Sequence, residues 1–248
     1  MIVCKSEREI DLMRQAGRIV AKTHEFLKER IAPGITTAQI DSLAEEFILN
    51  NDAEPAFKGY QGFPSTVCVA INEGVVHGIP DSRSLEEGDI VGLDIGVIKN
   101  GYYGDAARTL AVGEISAQAQ RLLKVTEDSL FKGIEAALVG NRLSDISNAV
   151  QSHAEAAGYS VVRKFVGHGI GSEMHEPPQV PNFGAAGRGP RLKAGMTLAI
   201  EPMVNMGDYQ VETLEDGWTV VTKDRQLSAH FEHTIVILES GPEILTQV

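Results

Sequence analysis

The sequence predicts an α+β fold of two pseudo-symmetric halves, each with helices packed on an antiparallel sheet. Three observations predict it. Helical periodicities come in pairs, and each pair is followed by strand alternation, once before about residue 115 and once after. Landmarks then recur in order: Gly34 leads by six residues to Ile40 and Gly140 by six to Ile146, while Gly88 leads by six to Asp94 and Gly195 by six to Glu201. Each of these acids has a second acid downstream that opens an apolar run, Asp105 before AARTLAV and Glu232 before HTIVIL. Such matches in register make an internal repeat over about 1–115 and 116–248. Finally, no low-complexity stretch or linker divides the 248 residues, so residues 1–248 are expected to form one domain.

The elements follow in order. Ile10, Met13, Gly17, Val20, His24, Leu27 and Ile31 alternate spacings of three and four, one helical face ended by Pro33-Gly34. A second helix follows Thr36, with Gln39 in capping-box position and Ile40, Leu43, Phe47 and Ile48 inward. Residues 66–71 alternate as a strand with Cys68 on one face and Val67, Val69 and Ile71 on the other. A hairpin over about 90–112 turns at Asn100-Gly101, a strong hairpin signal. The second half predicts helices over about 116–139 and 144–157, the latter ended by Gly158. A strand at Tyr159–Phe165, a Gly/Pro-rich loop to about 190 and strands near 196–205, 217–222 and 229–238 complete it.

Composition narrows the function. A net charge of -12 without a basic stripe disfavours nucleic-acid binding. Two cysteines without a CxxC exclude a disulfide scaffold and a thiolate zinc site. A charged N-terminal stretch and the lack of a long apolar run exclude a signal peptide and a membrane span, which makes the cytoplasm the expected compartment.

The acids carry the chemistry. With Asn100-Gly101 as a two-residue loop, cross-strand partners sum to 201, so Gly96 faces Asp105 and Asp94 is its diagonal neighbour, roughly 7–8 Å away at Cα. Val91, Leu93, Ile95 and Val97 form the opposite, apolar face, while Gly92 and Gly96 on the acid face leave room for something bound. Glu201 repeats the pattern, with Leu198 and Ile200 facing away and Pro202 keeping it extended. Two carboxylates at about 4 Å repel by roughly 4 kcal/mol at an effective dielectric of 20. Four in a dry cleft must protonate or collect cations. Two divalent ions bring the set to neutrality, His168 adds a nitrogen, and an oxygen-rich donor set suits cobalt, manganese, iron or zinc. Two such ions about 3.5–4 Å apart bind a bridging water and lower its pKa towards ~7.

Other chemistries lack support. GHGIG has neither dinucleotide-loop spacing nor a P-loop lysine, HEPPQ is not HExxH because its prolines forbid the helix, and there is no GxSxG. His24 and His153 fall on helices as structural residues, and His233 points away from Glu232.

The ordered set His77, Asp94, Asp105, His168, His175, Glu201 and Glu232 resembles the methionine aminopeptidases of the pita-bread fold, in the short bacterial type I form. VCVAINEGVVHGIP, DIVGLDIGVIKNGYYGDAARTLAVG, GHGIGSEMHEPPQV, LAIEPMV, EDGWTVVTKD and SAHFEHTIV carry the resemblance nearly end to end. It implies that Asp94, Asp105, His168, Glu201 and Glu232 ligate two metal ions, with Asp105 and Glu232 bridging. It implies catalytic roles for His77 at the substrate amide, His175 at the scissile carbonyl and its oxyanion, and Glu201 as proton shuttle. Tyr60, Phe63, Cys68, His77 and Trp218 are implied around a methionine side chain. Phe57 stands where a small residue is often found, Phe63 where tyrosine is common and Met174 where phenylalanine is common; all keep the pocket apolar. The implied reaction removes the initiator methionine from nascent polypeptide N-termini with a small second residue, at or near the ribosome, by a monomer. The alternatives are an Xaa-Pro aminopeptidase or prolidase of the same fold, and a non-catalytic binding protein on this scaffold, which should have lost ligands.

Overall fold

A computed structural model describes residues 1–248. Helix α1 (Glu7–Lys28) starts at Ser6, whose hydroxyl accepts the Glu9 N–H while the Glu9 carboxylate accepts the Ser6 N–H, a reciprocal cap. Its buried stripe includes Ile10, Met13, Gly17, Val20, His24 and Leu27, as the periodicity requires. Helix α2 (Thr37–Asn50) starts at Thr36 with Gln39 completing its capping box. Ile40 and Ile48 are buried, whereas Leu43 and Phe47 are half-buried and Ala44 takes the inward place between them. Strands β1 (Glu54–Pro55), β2 (Val67–Ile71) and β3 (Gly74–Val76) follow, then the hairpin β4 (Ile90–Lys99) and β5 (Tyr102–Ala111). Asn100 and Gly101 have φ of 53° and 78°, the paired positive values of a type I′ turn, and Gly96 pairs with Asp105.

The second half repeats the plan with α3 (Ala117–Ala136) and α4 (Leu143–Ala156), then β6 (Ser160–Val161), β7 (Gly167–Gly169), β8 (Glu176–Val180), β9 (Thr197–Ile200), β10 (Met203–Asn205), β11 (Val211–Thr213), β12 (Val220–Thr222), β13 (Ser228–His230), β14 (His233–Leu238) and β15 (Gly241–Ile244). Every strand pair is antiparallel. In the first half β5 lines one edge of β4, and β1 and β2 share the other. In the second the order is β15-β14-β9-β7-β8. Smaller sheets, β13-β10-β6 and β11-β12-β3, complete the structure, the latter joining both halves. Corresponding positions make the same bonds. The Gly34 N–H donates to the Leu85 carbonyl at 2.8 Å and the Gly140 N–H to the Leu192 carbonyl at 3.0 Å. One apolar core lies between α1, α2 and the β2–β4–β5 sheet, and a second beneath α3 and α4. This is the pita-bread fold. No helix is long and apolar enough to cross a membrane.

Several stretches differ from the sequence expectation. The strand at 159–165 is only Ser160–Val161, followed by one further bond from the Val162 N–H to the Met203 carbonyl. The run at 196–205 is broken after Ile200 into β9 and β10, which join different sheets, because Pro202 brings no N–H to a ladder. The run at 229–238 breaks in the same way at Phe231-Glu232, β13 pairing with β10 and β14 with β9. The run at 217–222 shortens to β12, which sits between β3 and β11. The Gly/Pro-rich loop contains β7 and β8, and β8 carries Pro177 and Pro178 because it lies at a sheet edge.

Candidate metal centre

The strand breaks and the hairpin register bring the acids together. Asp94 and Asp105 come from β4 and β5, Glu201 directly follows β9, and Glu232 directly precedes β14. His233 pairs with Ile200, so extending that register by one residue sets Glu232 opposite Glu201. His168 lies on β7, paired with Ala199. Two contacts stitch the halves here. The Thr234 hydroxyl donates to the Asp105 carbonyl at 2.8 Å and accepts the Asp105 N–H at 3.0 Å, and the Glu232 N–H donates to the Ala107 carbonyl at 2.9 Å.

Asp105, His168 and Glu232 each offer a donor atom within 4.8 Å of the others. His168 Nε2 lies 3.9 Å from Asp105 Oδ2 and 3.7 Å from Glu201 Oε1. Its Nδ1–H donates to the Gly169 carbonyl at 2.8 Å, which leaves Nε2 bare towards the acids. Asp94 Oδ1, Asp105 Oδ1 and Glu232 Oε1 are buried without a hydrogen-bond partner. Buried oxygens are ordinarily satisfied, so three orphans around one point mark a place built for cations. Electrostatics agrees. Burial raises Asp94 from 3.8 to about 7, partly offset by a hydrogen bond with Asp105. Burial first, then the neighbouring acids, pushes Asp105, Glu201 and Glu232 well above the ordinary carboxylate range. Burial lowers His168 to about 4, so the imidazole is neutral at pH 7, as a metal ligand must be. The donor set therefore fits divalent cations.

A cavity of about 280 Å³ opens beside these groups, and every candidate site residue lines it. Phe57, Tyr60, Phe63, Cys68, Met174 and Trp218 form an apolar wall, with the Trp218 ring edge-on to Phe63 at 5.2 Å. Cys68 pairs with Asp94 across β2 and β4, and burial raises its thiol pKa, which keeps it an apolar contact. His77 holds φ of 59°, left-handed backbone that non-glycine residues rarely adopt, with its ring edge-on to Phe165 at 5.4 Å. Burial lowers His77 to about 4. His175 stands 4.3 Å from the His168 ring, and partial burial lowers its pKa.

One expectation is corrected. Gly96 leaves no room for a ligand: a Cβ there would meet Phe57 Cε1 at 2.6 Å and Ala56 Cβ at 2.9 Å, because β1 and the residues after it close over β4. Four lining residues escaped the sequence reading, Gln61, Val76, Phe165 and Val166. Adjacency to His77 and to the GHG strand could have flagged the last three. Gln61, at φ of 50° in a tight turn, carries no such signal.

A family model described as metallopeptidase family M24 matches residues 11–239. The methionine aminopeptidase of Clostridium perfringens is 60% identical over 248 residues, covering 100% of both chains. The crystal structure of a methionine aminopeptidase from Thermotoga maritima superposes with a TM-score of 0.99 at 46% identity, covering 100% of each chain. A prolidase from Pyrococcus horikoshii gives a TM-score of 0.82 at 25% identity, covering 100% of this chain but 64% of that one. With its fold, its clustered acids and its full-length relatives in agreement, the chain belongs to metallopeptidase family M24 and, within it, to the methionine aminopeptidases.

Proposed function

We propose that this enzyme removes the initiator methionine from nascent polypeptides and peptides with a small second residue, by hydrolysis at a dinuclear metal centre. The observation that carries the reading is the convergence of five donors from both halves on one cavity, with three of their oxygens left without partners. Asp94, Asp105, His168, Glu201 and Glu232 would hold two divalent ions, and four carboxylates balance two such charges. Bound there, the ions supply Lewis acidity and lower the pKa of a shared water towards ~7. Asp105, Glu232 and His168 offer donor atoms within 4.8 Å of one another and would hold the ions jointly.

The protein's own groups do the rest. The methionine side chain enters the wall of Phe57, Tyr60, Phe63, Cys68, Met174 and Trp218, where Met174 adapts its shape to an unbranched thioether. His175, neutral at pH 7, donates a hydrogen bond to the scissile carbonyl as negative charge develops on it. His77 contacts the substrate amide. The Glu201 carboxylate, which lines the cavity beside His168, takes the proton of the attacking water and returns it to the leaving amine. Two free cysteines, one of them buried, fit a reducing cytoplasm.

The test compares Met-Ala-Ser with an Xaa-Pro peptide, using metal-stripped enzyme and add-back of cobalt, manganese, iron or zinc one at a time. Methionine release that appears only on add-back supports the proposal. Cleavage of the Xaa-Pro peptide alone would assign the rival prolidase-like activity.

A further inference from the structure

Tyr60 offers more than a wall to the cavity. It sits in a turn, GYQGF, in which Gly59, Gln61 and Gly62 all have positive φ, 86°, 50° and 92°. Two glycines take such values without strain, but Gln61 does not, and a strained residue persists only where its surroundings hold it. Four backbone bonds hold this turn. Tyr60 N–H donates to the Phe57 carbonyl at 2.9 Å, Phe63 N–H to the Tyr60 carbonyl at 2.9 Å, Gly62 N–H to the Gly59 carbonyl at 3.2 Å and Gly59 N–H to the Phe63 carbonyl at 2.7 Å. The tyrosine is thereby presented on a stiff support.

His175 is supported differently. It precedes β8 on an irregular segment, and the one hydrogen bond its ring makes is to the Tyr60 hydroxyl, 2.8 Å from Nδ1. The two rings stack at 5.4 Å with 29° between their planes. The next residue, Glu176, is tied to Lys5 Nζ at 2.5 Å, which fixes the backbone of the segment but not the torsion of the imidazole. A neutral imidazole has one N–H. If Nδ1 accepts from the Tyr60 hydroxyl, that N–H sits on Nε2, the atom on the other side of the ring.

We propose that Tyr60 is a positioning residue: its hydroxyl donates to His175 Nδ1 and so fixes both the torsion and the tautomer that aim Nε2–H at the scissile carbonyl. This deepens the proposed aminopeptidase reading and rests on it for the role of His175. The hydrogen bond itself does not depend on that reading. Phenylalanine at position 60 keeps the ring in the cavity wall and removes only the donor, which makes Tyr60→Phe the discriminating change.

The experiment has two arms on enzyme loaded with zinc, which is diamagnetic. In the first, steady-state cleavage of Met-Ala-Ser by Tyr60→Phe is expected to lose about tenfold in kcat, the scale of one neutral hydrogen bond, with KM within about twofold. The same substitution in a His175→Ala background is expected to cost nothing further. A raised KM with unchanged kcat, or additive losses in the double variant, would overturn the proposal and leave Tyr60 as pocket wall alone. In the second arm, the ¹⁵N resonances of His175 are expected to report an Nε2–H tautomer with a hydrogen-bonded Nδ1 in the parent, and an unbonded Nδ1 in Tyr60→Phe. An Nδ1 resonance that does not move would overturn the proposal whatever the enzyme cleaves. Loss of the resonance shift together with an inactive parent would instead locate the failure in the aminopeptidase reading.

Discussion

Replacing Asp94 by Asn should make the metal-free enzyme lose less stability as pH rises. Burial raises the Asp94 carboxyl from 3.8 to about 7, so the folded chain keeps a proton that the unfolded chain releases. Stability from this group is fully present below the unfolded pKa and is lost as pH rises through the folded one. The shift of about three units corresponds to a few kcal/mol in total, roughly half of it falling between pH 5 and pH 8. The buried histidines act oppositely. His24 and His230, lowered to about 3, and His77, His168 and His233, lowered to about 4, add stability as pH rises to about 6.5 and nothing above it. They are common to both proteins, so the difference between parent and Asp94→Asn reports the acid cluster: Asp94 itself, and the relief of Asp105, Glu201 and Glu232, whose carboxyls its charge helps to raise. Urea unfolding in chelator at pH 5 and pH 8 should therefore show the variant gaining on the parent by about 2–3 kcal/mol as pH rises. With manganese added at pH 8 the order should invert, because the parent alone keeps the full donor set. A pH-independent difference in chelator, or one that favours the parent at pH 8, would refute the claim that Asp94 is held as a buried, metal-seeking acid.

Other outcomes follow from the same geometry. Asp105→Asn removes one of the three clustered donors Asp105, His168 and Glu232, so native mass spectrometry should find fewer than two ions per chain and add-back should restore less than about 1% of parental methionine release. Trp218→Ala should raise KM for Met-Ala-Ser about tenfold while metal content stays unchanged, since the ring braces Phe63 in the apolar wall and is not among the donors. Gly96→Ala should destabilise the fold by about 1–3 kcal/mol in urea titrations because its Cβ collides with Phe57, and adding Phe57→Leu should recover part of that loss.

Much of the cage was legible because its first half is local. The Asn100-Gly101 turn sets the hairpin register, and that register makes Asp94 and Asp105 neighbours. The Thr36-Gln39 capping box and the Gly158 stop were local as well, whereas α1 ends at Lys28, ahead of the stop expected at Pro33-Gly34 and short of Ile31. What escaped the sequence reading was set by tertiary pairing. A run such as MTLAIEPMVN alternates equally well whether it stays in one sheet or divides between two, so the breaks that carry Glu201 and Glu232 leave only Pro202 as a clue. Gly96 looked like space for a ligand because nothing in the local pattern says that Phe57 folds back over it. Gln61 lines the cavity through loop geometry, which residue spacing does not encode.

The Thr234 hydroxyl that clasps both the amide and the carbonyl of Asp105, with the Glu232 amide bound across to Ala107, has a consequence for hydrogen exchange. These two amides are paired across the seam between the halves, so neither is released by fraying within its own half. They should belong to the slowest-exchanging set of the molecule, opening only with the whole protein. The acids are thus held by the full cooperative stability of the fold, and partial unfolding at the chain ends leaves their spacing intact.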